Sequence, residues 1–395
     1  MKKRVYPVLC LLLALLAACA PPRSGTRSSA AICRRPPAVT VSLMDDPDVD
    51  AGWGDFRCAD LREWDLMDME AELLSADFDT RTRWPENLPE DFRPQELLEL
   101  GKDPGLGLRE LHEQGITGKG VGIAIIDQTL LVEHQEYGDR LRLYQEYHTA
   151  AEDDASTHGP AVASIALGET VGVAPEALLY FIADDVGTGT EGNFVRDMTY
   201  YAEDIDRLTA LNETLPEGEK IRVISMSVGW MADTAGAAEI EAAIGRARAA
   251  GIAVVCVNSH DPLLPWIGMG REPYGDPNEP ADCRPGAFWE ELLYSGEYGG
   301  DENTLLLPMD RRTAASPAGE GEYAYFAEGG MSWVIPYVAG LYALACQVKP
   351  EVTYEEFLAA AQATANPISI WAEEGVEYPY GRVVDPAALL ARLGA

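Results

Sequence analysis

The chain has 395 residues, of which 47% are hydrophobic and 24% are charged, enough for one large domain or two smaller ones. Its 65 acidic residues exceed its 30 basic residues and give a formal net charge of −35 at pH 7. This balance argues against nucleic acid as a partner, because such binding depends on lysine and arginine side chains that neutralise phosphates. It also disfavours broad electrostatic contact with an anionic membrane.

The N-terminus has the pattern of a secretory signal. Basic residues at positions 2–4 precede a short apolar stretch, which ends in small residues before Cys19. The stretch is too short to span a membrane comfortably, so residues 1–18 are predicted to be a signal peptide. Its end, "LAAC", resembles the lipobox of bacterial lipoproteins. That resemblance implies lipidation of Cys19, and the only membrane contact would be this anchor on the extracytoplasmic side of the bacterial envelope. The alternative is an ordinary cleavage site followed by an incidental cysteine.

Two segments separate this signal from the main domain. Residues 19–44 are rich in Pro, Ser, Ala and Arg, which is typical of a flexible tether. Residues 45–100 form an acidic N-terminal extension that carries Trp53, Trp64 and Trp84. The extension is either a propeptide that is cut away or a permanent part of the fold. Large rings need packing partners and no Gly/Ser-rich linker follows, so we expect retention.

Residues 101–395 are predicted to form one α/β domain. Short apolar, β-branched runs indicate buried parallel strands, and helix-like stretches alternate with them. Alternation of this kind predicts a three-layer fold, with a mostly parallel sheet between helices on both faces. Residues 259–303, rich in Pro, Gly and acidic residues, are predicted to be a surface insertion. The predicted strands are Val121–Asp127, Ala177–Ala183, Ile221–Val228 and Gly251–Val257, and the predicted helices span about 158–168, 194–212, 235–249 and 354–364.

The cysteines and acidic residues identify no cofactor. Five cysteines remain beyond Cys19, and their odd number and spacing support neither a disulfide framework nor a zinc site. Cys256 and Cys346 lie in apolar runs and are predicted to be packed thiols. A disulfide between Cys33 and Cys58 is compatible with a location outside the cytoplasm, but nothing in the sequence requires it. Acidic residues are too plentiful for any cluster to indicate a calcium site. The oligomeric state is equally undetermined.

Ser332 stands in an unusual setting. It follows "GGM" and precedes Pro336 and an apolar run that predicts a buried helix. Proline is tolerated in the first turn of a helix, so the helix should begin close to Ser332. The serine is then either a helix cap or a nucleophile placed where free N–H groups can stabilise an oxyanion.

The partners that a nucleophile needs occur at predicted strand ends. Asp127 and Asn258 each follow a buried strand, and the carboxyl ends of parallel strands share one edge of the sheet. His158, in "STHGPAVASIALG", opens a helix of small residues and could present its imidazole at this edge. His134 and His148 are the rival bases, but neither is followed by glycine or by such a helix.

The order Asp127, His158, Ser332 resembles that of the subtilisin-like serine peptidases, the subtilases, across about residues 100–350. The motifs "GKGVGIAIID", "HGPAVASIALG" and "GGMSWVIPYVAG" carry the resemblance, and "AVVCVNS" adds a weaker match at Asn258. The resemblance implies a catalytic triad of Asp127, His158 and Ser332, with Asn258 as an oxyanion donor. It also implies that protein or peptide substrates pair with Ser227, Val228 and Gly229.

Some positions depart from the family pattern. Thr129, which comes two places after the aspartate and directly after Gln128, stands where a glycine is usual. Met331 replaces a common threonine, and the glycines around Asn258 are missing. These changes leave room for a second hypothesis, a catalytically silent subtilase fold that acts as a surface binding protein. An α/β-hydrolase is disfavoured, because Ser332 lacks a G-x-S-x-G motif and the order of the three residues differs.

Overall fold

The central feature of the fold is a five-stranded parallel sheet. The computed structural model describes residues 54–149, 155–188, 195–257, 261–295, 303–371 and 377–395. Residues 1–53, with Cys19 and Cys33, and Asn258 lie outside this part of the chain. The sheet has the order β3-β4-β2-β7-β8. Its strands are β2 (Gly122–Asp127), β3 (Leu141–Glu146), β4 (Leu178–Ala183), β7 (Ile221–Met226) and β8 (Ala253–Cys256).

The four predicted strands are confirmed in this sheet, and β3 is a further edge strand. Every residue of β2 and β8 is buried, as expected for strands covered on both faces. The strand predicted to reach Val228 ends at Met226, because the Val228 N–H turns back to the Met226 carbonyl at 2.8 Å. The strand β3 is only half-buried and polar, so it lacks the apolar run that marks the others.

Helices cover both faces of this sheet, as predicted. Helices α4 (His158–Leu167) and α8 (Met331–Val348) pack against each other so closely that a Cβ at Gly340 would lie 2.8 Å from the Ala166 carbonyl oxygen. Among the described residues, α8 is long and apolar enough to span a membrane, but it is packed in the protein core. The other helices that adjoin the sheet are α5 (Thr199–Thr214) and α6 (Ala237–Ala249).

Helix α5 begins later than the predicted residue 194. Residues Val195–Arg196 form a short strand, β6, which pairs with β5 (Gly187–Thr188). The Asp197 carboxylate then accepts hydrogen bonds from the N–H and the hydroxyl of Thr199. This local capping contact fixes the start of the helix after the strand.

The prediction that residues 259–303 lie on the surface is wrong for part of this region. Trp266 is 2% exposed, and its indole N–H donates to the Tyr354 hydroxyl at 2.9 Å. It belongs to a second sheet of order β10-β9-β11-β15-β14, whose pairing partners lie far along the chain and could not be inferred from local composition. The strands are β9 (Trp266–Arg271), β10 (Cys283–Pro285), β11 (Leu305–Pro308), β14 (Asn366–Trp371) and β15 (Glu377–Val383).

A third sheet joins the N-terminal extension to the rest of the protein. It has the order β1-β13-β12, with β1 (Phe78–Asp79), β12 (Arg312–Ala315) and β13 (Tyr323–Phe326). Around it lies a second hydrophobic core, separate from the main one. The remaining helices are α1 (Glu70–Leu74), α2 (Pro94–Gly101), α3 (Leu108–Glu113), α7 (Ala287–Ser295), α9 (Tyr354–Thr364) and α10 (Pro386–Gly394).

The described cysteines are not paired with one another. Cys256 and Cys346 are buried thiols, as predicted, and burial raises their pKa values to about 12 and about 11. The Cys58 thiol donates to the Asp79 carboxylate at 3.1 Å.

Candidate active site

Asp127 and His158 form a hydrogen-bonded pair at the carboxyl edge of the central sheet. Asp127 is the last residue of β2 and is 4% exposed, while His158 is the first residue of α4. The imidazole Nδ1 lies 2.6 Å from Asp127 Oδ1. Because a carboxylate can only accept, Nδ1 carries the proton, and in the neutral ring Nε2 is left with a lone pair.

The electrostatics of this pair favour a protonated imidazole. Burial lowers the pKa of His158, but the charge of Asp127 and its hydrogen bond raise it, and the net result is a pKa above 6.5. The His158 side chain remains 28% exposed, so part of the imidazole is accessible to solvent.

Three polar residues hold the two loops of this pair together. The Ser156 hydroxyl accepts a hydrogen bond from the His158 N–H at 2.8 Å and donates to Gln128 Oε1 at 2.6 Å. The Ser156 N–H donates to the Thr129 hydroxyl at 3.0 Å. Thr129 is the position that replaces the family's glycine, and here Thr129 and Gln128 both bind the loop that precedes the histidine. The sequence analysis missed Ser156, although serine side chains often bind backbone N–H groups a few residues ahead of them.

The residue after His158, Gly159, has no room for a side chain. A Cβ at this position would collide with the carbonyl oxygens of Gln128 and Thr129. The first turn of α4 therefore presses directly against the loop after Asp127. Only glycine permits this approach, which brings the imidazole to the carboxylate.

Ser332 is the second residue of helix α8 and does not cap it. The N-cap residue is Gly330, in an extended conformation, and no side-chain capping bond is present. The Ser332 N–H belongs to the first turn, whose N–H groups have no intrahelical acceptor. A Cβ at Gly329 would collide with the Met309 carbonyl oxygen, so this glycine allows the preceding turn to pass close to another backbone segment.

Pro336 lies in the second turn of α8, one turn later than the sequence suggested. Without an N–H, it cannot donate to the Ser332 carbonyl four residues earlier. The Ser227 hydroxyl donates to that carbonyl instead, at 3.0 Å. Ser227 directly follows strand β7, so this bond ties the start of the serine helix to the central sheet.

The start of α8 faces the histidine. The Trp333 ring, next to Ser332 in the chain, lies with its centroid 5.4 Å from that of His158. Trp333 also packs edge-on against Phe326, with centroids 4.9 Å apart. Ser332 and His158 both belong to the described part of the chain. The Ser332 hydroxyl makes no hydrogen bond to His158 there. In ligand-free sites this bond is often long and tightens only when substrate binds.

The predicted substrate-pairing segment lies beside the serine. The Val228 carbonyl accepts a hydrogen bond from the Val257 N–H at 3.0 Å, and the Gly229 carbonyl accepts one from Arg196 at 3.1 Å. A Cβ at Gly229 would collide with the Val257 carbonyl. The chain after β8 therefore runs close to this segment as far as Val257, the residue before Asn258.

The rival histidines have other partners. His134 is fully buried, and its Nε2 donates to the Glu322 carbonyl at 2.9 Å, while burial lowers its pKa. The Nδ1 of His148 lies 2.9 Å from Asp184, which follows β4, and its ring stacks on Tyr200. The ring nitrogens of His134 therefore contact backbone groups only, whereas His148 pairs with Asp184 and not with Asp127.

A three-layer α/β fold with an Asp–His pair beside a serine helix defines a subtilisin-like architecture. A family model described as the subtilase family matches residues 118–280. Subtilisin E from Bacillus subtilis strain 168 is 25% identical over 264 residues, which cover 65% of this chain and 63% of subtilisin E. The chain is therefore similar to the subtilases over residues 118–280 and in its fold.

A solved structure shows the same fold. The prenylagaramide maturation protease PagA is similar with a TM-score of 0.50 and 18% sequence identity. The similarity covers 73% of this chain and 98% of that chain. At this identity the likeness concerns the fold alone.

Proposed function

We propose that this protein is an extracytoplasmic serine endopeptidase that hydrolyses peptide bonds of proteins or peptides. The observation that carries the proposal is the 2.6 Å bond between Asp127 and His158, whose ring faces the start of the Ser332 helix. Covalent labelling of Ser332 by a fluorophosphonate probe tests it, because only an activated serine reacts.

The geometry supports a role for each member of the triad. Ser332 Oγ attacks the carbonyl carbon of the substrate while His158 Nε2 accepts its proton. The C–N bond of the tetrahedral intermediate then breaks, and the imidazolium gives that proton to the leaving amine. Water hydrolyses the acyl-enzyme by the same route in reverse. Asp127 holds the ring in the required tautomer and stabilises the imidazolium.

The oxyanion would be stabilised by donors near the start of α8. The Ser332 N–H is free of intrahelical bonding and lies at the positive end of the helix dipole. We assign the second donor to the Asn258 side chain on the resemblance alone, since it lies outside the described residues. Substrate would lie along Ser227, Val228 and Gly229 by backbone pairing.

The pH dependence of activity should follow the raised pKa of His158. Only the neutral imidazole can accept the serine proton, so kcat/KM for a peptide substrate should fall as the pH decreases through the histidine pKa. Because this pKa lies above its usual 6.5, we expect the midpoint of the acidic limb above pH 6.5. Melting temperatures over the same range separate titration from unfolding. A midpoint below 6.5 in folded protein would contradict the proposed electrostatics.

We also propose that the protein is held at the bacterial envelope by a lipid on Cys19. The basis is the lipobox-like sequence before this cysteine. Replacing Cys19 by serine should move the full chain from the membrane fraction to the soluble fraction, measured by immunoblot. Cys10→Ser is the matched control, because Cys10 lies within the apolar stretch of the signal and should leave the anchor intact. A Cys19→Ser variant that stays in the membrane fraction would refute the anchor.

One observation favours the alternative of a catalytically silent binding protein. Ser332 and His158, both within the described residues, are not hydrogen-bonded to each other. A silent protein would keep this geometry when substrate binds and would not react with the probe. A single labelling experiment therefore distinguishes the peptidase from the silent binding protein.

A further inference from the structure

The N-terminal extension pairs with the strand that leads to Ser332. Strand β1 runs antiparallel to β13, with Phe78 opposite Tyr325 and Asp79 opposite Ala324. From β13 the chain passes through Ala327 and the two glycines into helix α8. The extension therefore contacts the segment that positions the proposed nucleophile.

The packing of the extension depends on residues from the rest of the protein. Phe78 lies 4.8 Å from Tyr325, 5.5 Å from Trp84 and 6.0 Å from Phe92, measured between ring centroids. Tyr325 is fully buried in this second core. Burial of large apolar side chains stabilises the folded state, and loss of the extension would expose this apolar surface.

Asp77 makes a polar contact with the loop before Ser332. Its Oδ1 accepts a hydrogen bond from the Ala327 N–H at 2.9 Å. The carbonyl of Ala327 is hydrogen-bonded as well, because it accepts a hydrogen bond from the Arg311 N–H at 3.2 Å. Two residues later the Gly329 N–H donates to Asp310 at 2.8 Å. The loop is thus fixed at both ends, and one of these contacts comes from the extension.

A row of packed side chains links the extension to the histidine. The Arg57 guanidinium, which Asp55 binds with both carboxylate oxygens, lies 5.4 Å from the Phe326 ring centroid. Phe326 packs on Trp333, and Trp333 packs on His158. Movement of the extension would therefore disturb the site by two routes, one through the backbone and one through these rings.

We propose that residues 54–101 are a permanent layer of the enzyme, and that Asp77 is a positioning residue that holds the loop before Ser332. The proposal rests on the proposed function insofar as Ser332 is the nucleophile. A removable propeptide would have to break the β1–β13 pairing and leave Tyr325 exposed.

Hydrogen exchange of the full chain tests the role of Asp77 independently of activity. In a Ser332→Ala background, which prevents self-cleavage, Asp77→Ala should speed exchange of the Ala327 amide by about tenfold, because it loses its acceptor. Asp77→Asn should exchange like the background, since its side-chain oxygen still accepts. Asp68→Ala, at an exposed carboxylate of the same extension, is the matched control. Unchanged exchange in folded Asp77→Ala would overturn the positioning role.

Kinetics on the active chain provide a second readout. Asp77→Ala should lower kcat by about tenfold with little change in KM, and Asp77→Asn should restore most of the loss. A purely structural role would lower the melting temperature of both variants without this split between kcat and KM. Equal kcat in Asp77→Ala and the wild-type chain would count against the proposal.

Retention is tested on wild-type protein by intact mass and immunoblot of membrane and medium fractions. We expect the fluorophosphonate-labelled species to contain residues 54–101. A labelled catalytic fragment in the medium that lacks them, and that is absent from Ser332→Ala cells, would overturn the permanent layer. If no species is labelled, the proposed function fails, and the exchange experiment still decides the role of Asp77.

Discussion

Ser332→Ala should abolish peptide hydrolysis and leave the fold intact. Without Oγ no acyl-enzyme can form, and loss of the triad nucleophile typically costs about 10⁶-fold in kcat. The serine makes no capping bond in α8, so the free energy of unfolding should change by less than the roughly 1 kcal/mol of a lost cap. Casein hydrolysis measures the loss of activity, fluorophosphonate labelling measures the loss of the nucleophile, and the melting temperature measures the stability of the fold.

Ser75→Ala provides a matched control for this experiment. Ser75 follows helix α1 in the extension and should be dispensable for both hydrolysis and labelling. A Ser332→Ala variant that cleaves casein at the wild-type rate would place the nucleophile elsewhere. Wild-type protein that is folded but never labelled would instead favour the silent binding protein.

Asn258→Ala should lower kcat by roughly a hundred- to a thousandfold, with little change in KM. A donor that binds the negative charge formed in the tetrahedral intermediate lowers the activation barrier. It does not strengthen binding of the substrate in the ground state. The expectation rests on the resemblance to the subtilases at Asn258. The described chain ends just before it, at Val257, whose N–H donates to the Val228 carbonyl.

Two controls separate this effect from misfolding. The melting temperature of Asn258→Ala should match that of the wild-type chain, and the rate of fluorophosphonate labelling should fall together with kcat. An unchanged kcat would show that a group other than Asn258 provides the second hydrogen bond to the oxyanion. A raised KM with unchanged kcat would indicate a role in substrate binding.

The departures from the family pattern acquire a physical explanation in the folded protein. Gln128 and Thr129 both bind Ser156, whose hydroxyl accepts a hydrogen bond from the His158 N–H at the start of α4. Sequence comparison registers the missing glycine but not the serine that compensates for it, since the two lie in different loops.

The sequence alone predicted four of the five strands of the central sheet and the candidate members of the triad. Strands that are buried on both faces need continuous apolar runs, so β2, β4, β7 and β8 were visible without any partner. The side chains that follow such strands share one edge, and this rule placed Asp127 correctly at the end of β2. The small residues after His158 likewise predicted the tightly packed helix α4.

Only the tertiary structure decided how distant segments support that site. Strand β9 lies in a region whose composition resembled a surface loop, yet it pairs with β11 beyond that region. Strand β1 pairs with β13 across more than half the chain. The Ser227 bond to the Ser332 carbonyl exists because Pro336 removes an intrahelical donor, and its partner lies 105 residues away. Short-range patterns record burial and helix starts, whereas pairing between remote segments depends on the shape of the whole core, which no local pattern contains.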